Sequence, residues 1–229
     1  MNSNEITILK KIVDDSDRLI APSFQFIFCY FSFFVKLSDI SVILENFKFK
    51  EITMVNKVAW ITGAGSGIGE ATAIKLSEEG FIVVLSGRTK EALDTVASKC
   101  EGQVSVKPLD VSNSEDVKGV FQNIISDYGR IDVLVASAGL NAKNRNWHNV
   151  SDEDFDQIIK IDLNGVFYTN RLVLEKMKEQ REGLIINISS WAGKYVTTLT
   201  GPAYTAAKHG VNALTEGIIM EAGHWGVRA

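Results

Sequence analysis

The chain has 229 residues, 45% hydrophobic and 23% charged, enough for one large domain with a sizeable core and unlike a disordered or fibrous chain. A formal net charge of −4 provides no basic footprint for nucleic acid, which argues against a DNA- or RNA-binding role. Cys29 and Cys100, the two cysteines, have neither metal-type spacing nor the number needed for a disulfide framework, so no metal site is expected and a reducing, cytoplasmic setting suits them.

The first fifty residues read differently from the rest. No glycine occurs from Asn2 to Lys50, and Phe24, Phe26, Phe28, Tyr30, Phe31, Phe33 and Phe34 crowd together with neither helical nor strand period. Residues 19–35 reach the lower limit of about 17 residues for a bilayer span, but Pro22, Ser23, Gln25 and Ser32 interrupt the run. Asp14, Asp15 and Asp17 precede it, unlike the basic start of a secretory signal. Residues 1–53 are read as an N-terminal extension outside the fold, with Met54 the expected natural start and a membrane anchor at 19–35 the weaker alternative. Residues 54–229 are read as one domain.

From Met54 onward the pattern alternates. A buried strand is expected at 58–61, a helix at 67–79, a strand at 81–85, a helix at 89–99 and an extended run at Val104–Val106. Ser112 and Glu115 have capping-box spacing, predicting a helix over 113–128. A β-branched run follows at 131–135, then one long helix over 151–179 opened by Ser151-x-x-Asp154, an apolar run at 184–188 and a final helix over 204–222. Strands alternating with helices predict an α/β chain: a Rossmann-type, doubly wound parallel sheet with helices on both faces and its site at the C-terminal strand ends.

Between the first strand and first helix lies Thr62-Gly63-Ala64-Gly65-Ser66-Gly67-Ile68-Gly69. There, bare backbone can approach a pyrophosphate, and the helix N-terminus favours negative charge. Gly63, Ser66, Gly67, Ile68 and Gly69 are therefore cofactor-binding candidates. At the end of the second strand an NAD-selective site offers a carboxylate to the adenosine ribose. This chain has Ser86-Gly87-Arg88 instead, with Arg88 able to fork onto a 2′-phosphate, so NADP(H) is preferred and NAD(H) stays possible.

Tyr204 and Lys208 are four apart and share one helix face. A nearby cation favours phenolate, which would bring a phenol that titrates near pH 10 toward acid/base duty at neutral pH. Fourteen residues before Tyr204, at the end of a predicted strand, lies Ser190, with Ser189 as its competitor.

The Thr-Gly-x-x-x-Gly-x-Gly loop at 62–69, Ser190, the Tyr204-x-x-x-Lys208 pair and the Pro202-Ala203 lead-in together resemble the short-chain dehydrogenase/reductase family over residues 54–229. The resemblance implies hydride transfer between a nicotinamide cofactor and a small secondary alcohol or ketone. Tyr204 would exchange the substrate proton, Lys208 would bind the nicotinamide ribose and Ser190 would hold the carbonyl oxygen. Asp110 and Val111 resemble the adenine-contacting pair, although a loop aspartate also serves as a cap, and Ala138-Gly139 resembles the Ala-Gly pair beside the cofactor. Ala136-Ser137 replaces two family asparagines, a change expected to touch stability. Asp162 stands where the family's catalytic asparagine is expected, free either to take that position or to pair with Lys160 or Lys208.

The family pattern continues beyond Trp225-Gly226-Val227-Arg228-Ala229 into another strand, a substrate-covering segment and a last strand. A C-terminally truncated sheet lacking its last strands is accordingly expected. Relatives of this kind form homo-oligomers, tetramers or dimers, through the helices expected at 151–179 and 204–222. Trp147, His148, Trp191 and Tyr195 are candidate walls of a hydrophobic pocket. The alternative function is a catalytically weak, nucleotide-binding protein used in sensing or partner binding, favoured by Asp162.

Overall fold

The structure, a computed structural model, describes residues 57–229. The extension expected at 1–53, with its apolar run at 19–35, lies outside the described residues. Six parallel strands, β1 (Val58–Thr62), β2 (Ile82–Ser86), β3 (Val104–Val106), β4 (Val133–Ala136), β5 (Gly183–Asn187) and β6 (Val227–Arg228), form one sheet in the order β3-β2-β1-β4-β5-β6. The chain reverses its winding at β1, which has β2 on one side and β4 on the other, and this opens a crevice at the strands' C-terminal ends.

Helices α1 (Gly67–Glu78), α2 (Lys90–Ala97), α3 (Ser114–Tyr128), α4 (Asp152–Ile159), α5 (Gly165–Gln180) and α6 (Pro202–Ala222) connect the strands. Strand residues alternate between two buried layers, so the central strands read as unbroken apolar runs. Ala59 and Ile61 of β1 pack with Ala73 and Leu76 of α1 and Leu93 and Val96 of α2. Val58 and Trp60 face the other way, into a core with Val117 and Ile124 of α3, Val173 and Met177 of α5 and Ile218 of α6. Trp60 is fully buried without an orphan donor, because its Nε1 donates to Ser86 Oγ on β2 at 3.0 Å. At the opposite end of the sheet buried Asp132 accepts from the Val58 amide at 2.8 Å and pairs with Arg130, fixing the entry of β1 against β4.

Three expectations change. The cap of α3 is Asn113, whose side chain accepts from the amides of Glu115 and Asp116. Ser112 lies one residue too early to reach those amides, and its hydroxyl donates to Asp110 instead. The long helix expected over 151–179 does begin at the Ser151 cap, which accepts from Asp154 N at 3.0 Å, but it is two helices joined by a π-helical turn, Lys160–Asn164. There the Gly165 amide bonds Lys160 O, and the extra residue rotates Asp162 into the interior. Finally, the Trp225–Ala229 motif already enters the sixth strand: Val227 and Arg228 pair in parallel with Gly183 and Leu184. Among the described residues no helix is long and apolar enough to cross a membrane.

Candidate active site

The loop leaving β1 is shaped by close backbone approaches. A Cβ at Gly63, whose φ is +64°, would lie 2.7 Å from the Ala138 amide, and one at Gly69 would lie 2.3 Å from the Gly63 carbonyl. Only glycine lets β1, α1 and the loop after β4 converge so tightly. Ala138 N also donates to Thr62 Oγ1 at 3.4 Å. Gly67 differs: its φ is +59° and a Cβ there would meet nothing within 4 Å. It faces open space at the start of α1, where Ser66 makes no side-chain cap. Ser66, Gly67 and Ile68 are exposed, whereas Gly69 is buried. This is a cradle that fits a pyrophosphate.

Arg88, exposed just past β2, lines a cavity of about 270 Å³ together with Asp110, Ser112, Glu153, Asp156, Gln157, Lys160 and Ile161. Asp110 holds its own loop through Oδ1, which accepts from the amide and hydroxyl of Ser112 at 2.9 and 2.8 Å. Val111 is buried, and a Cβ added at Gly165 would lie 2.9 Å from its Cγ2, so this residue seats the start of α5.

A second cluster forms where β4, β5, the π-helical turn and α6 meet. Pro202 supplies the first turn of α6, its fixed φ suiting a position with no amide partner. Along this helix Tyr204 and Lys208 share a face, with Lys208 Nζ 5.5 Å from the centre of the phenol ring. The buried ammonium donates to Ile188 O at 2.9 Å and lies 3.5 Å from Asp162 Oδ2. Asp162 Oδ1 accepts from Leu140 N at 2.8 Å, while Oδ2 has no hydrogen-bond donor among the described residues. Exposed Gly139 borders the pair: a Cβ there would lie 3.1 Å from Asp162 Oδ2 and 3.5 Å from Lys208 Nζ.

Ser190 lies beside the Tyr204 phenol, close enough to influence its ionisation, and its Oγ accepts from Ala192 N at 3.2 Å. Ser189 turns the other way, its hydroxyl toward Lys208 O at 3.4 Å. Of the two serines, Ser190 is the one beside the phenol.

Burial pushes the Tyr204 phenol above its ordinary range; the Ser190 hydroxyl pulls it down and the Asp162 charge pushes it up again. The expectation of a phenol drawn down by its lysine neighbour is thus corrected. The lysine's charge is engaged by Asp162 and the Ile188 carbonyl, and desolvation of the ring dominates. Burial likewise lowers Lys208, opposed by Asp162, and raises Asp162, opposed by Lys208 and the Leu140 amide.

The structure therefore brings Ser190, Tyr204, Lys208, Asp162 and Gly139 together, and separately groups the glycine loop and the Arg88–Asp110 cavity. Sequence reasoning missed the Ile188 carbonyl and Leu140 amide, main-chain groups that any residue type supplies. Trp191 and Tyr195 stack with ring centres 5.0 Å apart on the exposed segment after β5, and Trp147 and His148 lie on an exposed stretch before α4.

Comparison with known proteins agrees with this architecture. The model of the short chain dehydrogenase family matches residues 57–229. An oxidoreductase of Staphylococcus aureus strain USA300 is 39% identical over 176 residues, which cover 76% of this chain and 75% of the relative. A metagenomic short-chain oxidoreductase solved in complex with NADP superposes with a TM-score of 0.71 at 34% identity, covering 76% of this chain and 80% of the other. A short-chain dehydrogenase from Streptomyces avermitilis gives 0.70 at 29% identity, over 75% of this chain and 62% of that one, so the matched segment spans less than two thirds of that protein.

Proposed function

Because the chain belongs to the short-chain dehydrogenase family, we propose that it moves a hydride between a nicotinamide dinucleotide, NADP(H) in preference to NAD(H), and a small secondary alcohol or its ketone. The observation that carries this reading is the meeting of Tyr204, Ser190 and Lys208 beside exposed Gly139 at the C-terminal end of the sheet. The dinucleotide, when bound, supplies or accepts the hydride.

This chain's residues would hold and orient the reactants. Gly63, Ser66, Gly67, Ile68 and Gly69 would receive the pyrophosphate on the α1 N-terminus, and Asp110 and Val111 would border the adenine. Arg88 would fork onto a 2′-phosphate. Ala138 and Gly139 would line the nicotinamide end, where Lys208 holds the ribose hydroxyls. Ser190 would donate to the carbonyl oxygen, aligning it with the Tyr204 phenol. In the reductive direction the second carbon–oxygen bond breaks, the oxygen takes the phenol proton and the carbon takes the hydride. A nucleotide-binding protein with weak chemistry remains the second reading, favoured by the carboxylate of Asp162 against Lys208.

The exposed apolar side chains Phe155 on α4, Phe167 on α5 and Met220 on α6 support assembly of identical copies through these helices. Light scattering checks that reading, and a monomer would overturn it.

The cofactor assignment is tested by titrating the chain with NADPH and with NADH while following nicotinamide fluorescence. NADPH should bind at least tenfold more tightly, and Arg88→Asp should abolish that preference by placing a carboxylate against the 2′-phosphate. Folded protein that binds neither dinucleotide would sink the dehydrogenase reading.

A further inference from the structure

One buried group has no part in the scheme above. Asp162 stands where the family pattern has an asparagine, an uncharged side chain. Its carboxylate is fully buried, 3.5 Å from the ammonium of Lys208, which is itself nearly buried. From the geometry we infer that Asp162 cancels the charge of Lys208, so that Tyr204 works as a protonated phenol delivering a proton to a carbonyl oxygen, and the chain is a carbonyl reductase rather than an alcohol dehydrogenase. The direction of reaction rests on the dehydrogenase reading; the charge balance rests on the geometry alone.

The charge of the pair is the same wherever the shared proton resides. With the proton on Lys208 Nζ the pair is a cation beside an anion; with the proton on Asp162 it is an amine beside a carboxylic acid. The net charge next to the phenol is zero either way. An asparagine would remove the carboxylate's negative charge, leaving the surroundings of the phenol more positive and so more favourable to a phenolate.

Among the described residues, Asp162 is the one acidic side chain paired with Lys208. Around the π-helical turn, Glu153 and Asp156 of α4 and Lys160 of the turn itself line the Arg88 cavity instead. The first turn of α5 carries no acidic residue. The loop after β4 contributes uncharged Ser137, Ala138, Gly139 and Leu140 and, farther along its exposed stretch, Lys143 and Arg145, the latter packed against Gly201; the segment after β5 brings the Ile188 carbonyl, two serine hydroxyls and Lys194, whose ammonium lies 5.5 Å from the Tyr195 ring. On α6, His209 is exposed with Nδ1 against Thr205 O at 2.9 Å. Burial of the phenol and the Asp162 charge act in the same direction, both favouring the protonated ring.

The chemistry then favours one direction at neutral pH. Carbonyl reduction needs a phenol proton: the C=O second bond breaks, the oxygen bonds that proton, and the carbon bonds a hydride from a reduced nicotinamide dinucleotide, which is oxidised. Alcohol oxidation needs the phenolate as base, which this site withholds until alkaline pH.

The test is a titration of Tyr204 in the full chain without dinucleotide or substrate. Tyrosines labelled at Cζ with ¹³C are followed by NMR from neutral to strongly alkaline pH, with Tyr204→Phe assigning the resonance. Asp162→Asn should lower the Tyr204 midpoint by roughly one pH unit or more, while Asp162→Glu, which keeps the charge, should leave it near its wild-type value. An unmoved midpoint in Asp162→Asn, or an equal shift in both variants, overturns the inference. Asp162→Ser gives the same uncharged comparison should Asp162→Asn fail to fold. Since no dinucleotide takes part, failure of NADPH to bind would remove the dehydrogenase reading and leave this charge measurement standing.

Discussion

Lys208 reaches from α6 to the main-chain carbonyl of Ile188, just past the end of β5, at 2.9 Å, so one side chain ties the last helix to the segment after β5 that carries Ser190. The same ammonium faces Asp162, which burial holds above the usual carboxylate range and Lys208 pulls back. Lys208→Met removes that opposition, and the folded-state pKa of Asp162 rises further. A carboxyl with a raised folded pKa binds more protons in the folded than in the unfolded chain, so stability is lost as pH climbs from the unfolded value, near 4, through the folded one. The wild-type lysine, lowered by burial, gives the opposite slope. Denaturant unfolding at several pH values should show the deficit of Lys208→Met growing as pH rises above the ordinary carboxylate range, toward the roughly 3–5 kcal/mol typical of a broken buried pair. A deficit that stays constant with pH would show that the two groups are not coupled.

Gly67 and Gly69 should separate binding from folding. A methyl at Gly69 would lie 2.3 Å from the Gly63 carbonyl, backbone against backbone, so Gly69→Ala should destabilise the fold by about 1–3 kcal/mol and weaken dinucleotide binding with it. Gly67→Ala meets no atom and carries only the cost of its positive φ, about 1 kcal/mol. Its methyl points into the space proposed for the pyrophosphate. Unfolding measured beside NADPH titration should show Gly67→Ala losing affinity at least tenfold with little loss of stability. Equal behaviour of the two variants would argue against a phosphate cradle at this loop.

Residue patterns made most of this fold legible. The apolar runs of β1, β2 and β4 arise from burial on both faces, and the glycine loop and the Ser151 cap are local signals that packing leaves intact. The π-helical turn was not legible, because Ile158, Ile161, Val166 and Val173 keep a helix-like spacing whether or not one hydrogen bond lengthens by a residue. The α3 cap shifted because Ser112 and Asn113 are both good caps and only backbone reach chooses between them. In the site, residue type and spacing identified Tyr204, Lys208 and Ser190. The balance of burial against charge at Tyr204 depends on Asp162 and the surrounding walls, contacts distant in sequence.

The two adjacent serines give the sharpest test of the proposed chemistry. Ser190 touches the Tyr204 phenol, whereas Ser189 directs its hydroxyl at the Lys208 carbonyl on the far side of the strand end. Ser190→Ala should lower kcat for carbonyl reduction by about 10²–10³-fold, the usual effect of removing one donor to a developing oxyanion. It should also move the Tyr204 titration to higher pH, since the hydroxyl that favours the phenolate is gone and burial acts unopposed. Ser189→Ala removes a contact that is long for a hydrogen bond and should change kcat less than a few-fold. Reversal of this order would transfer the carbonyl-holding role to Ser189, and loss of activity in Ser190→Ala without a change in the Tyr204 titration would separate the serine from the phenol it touches.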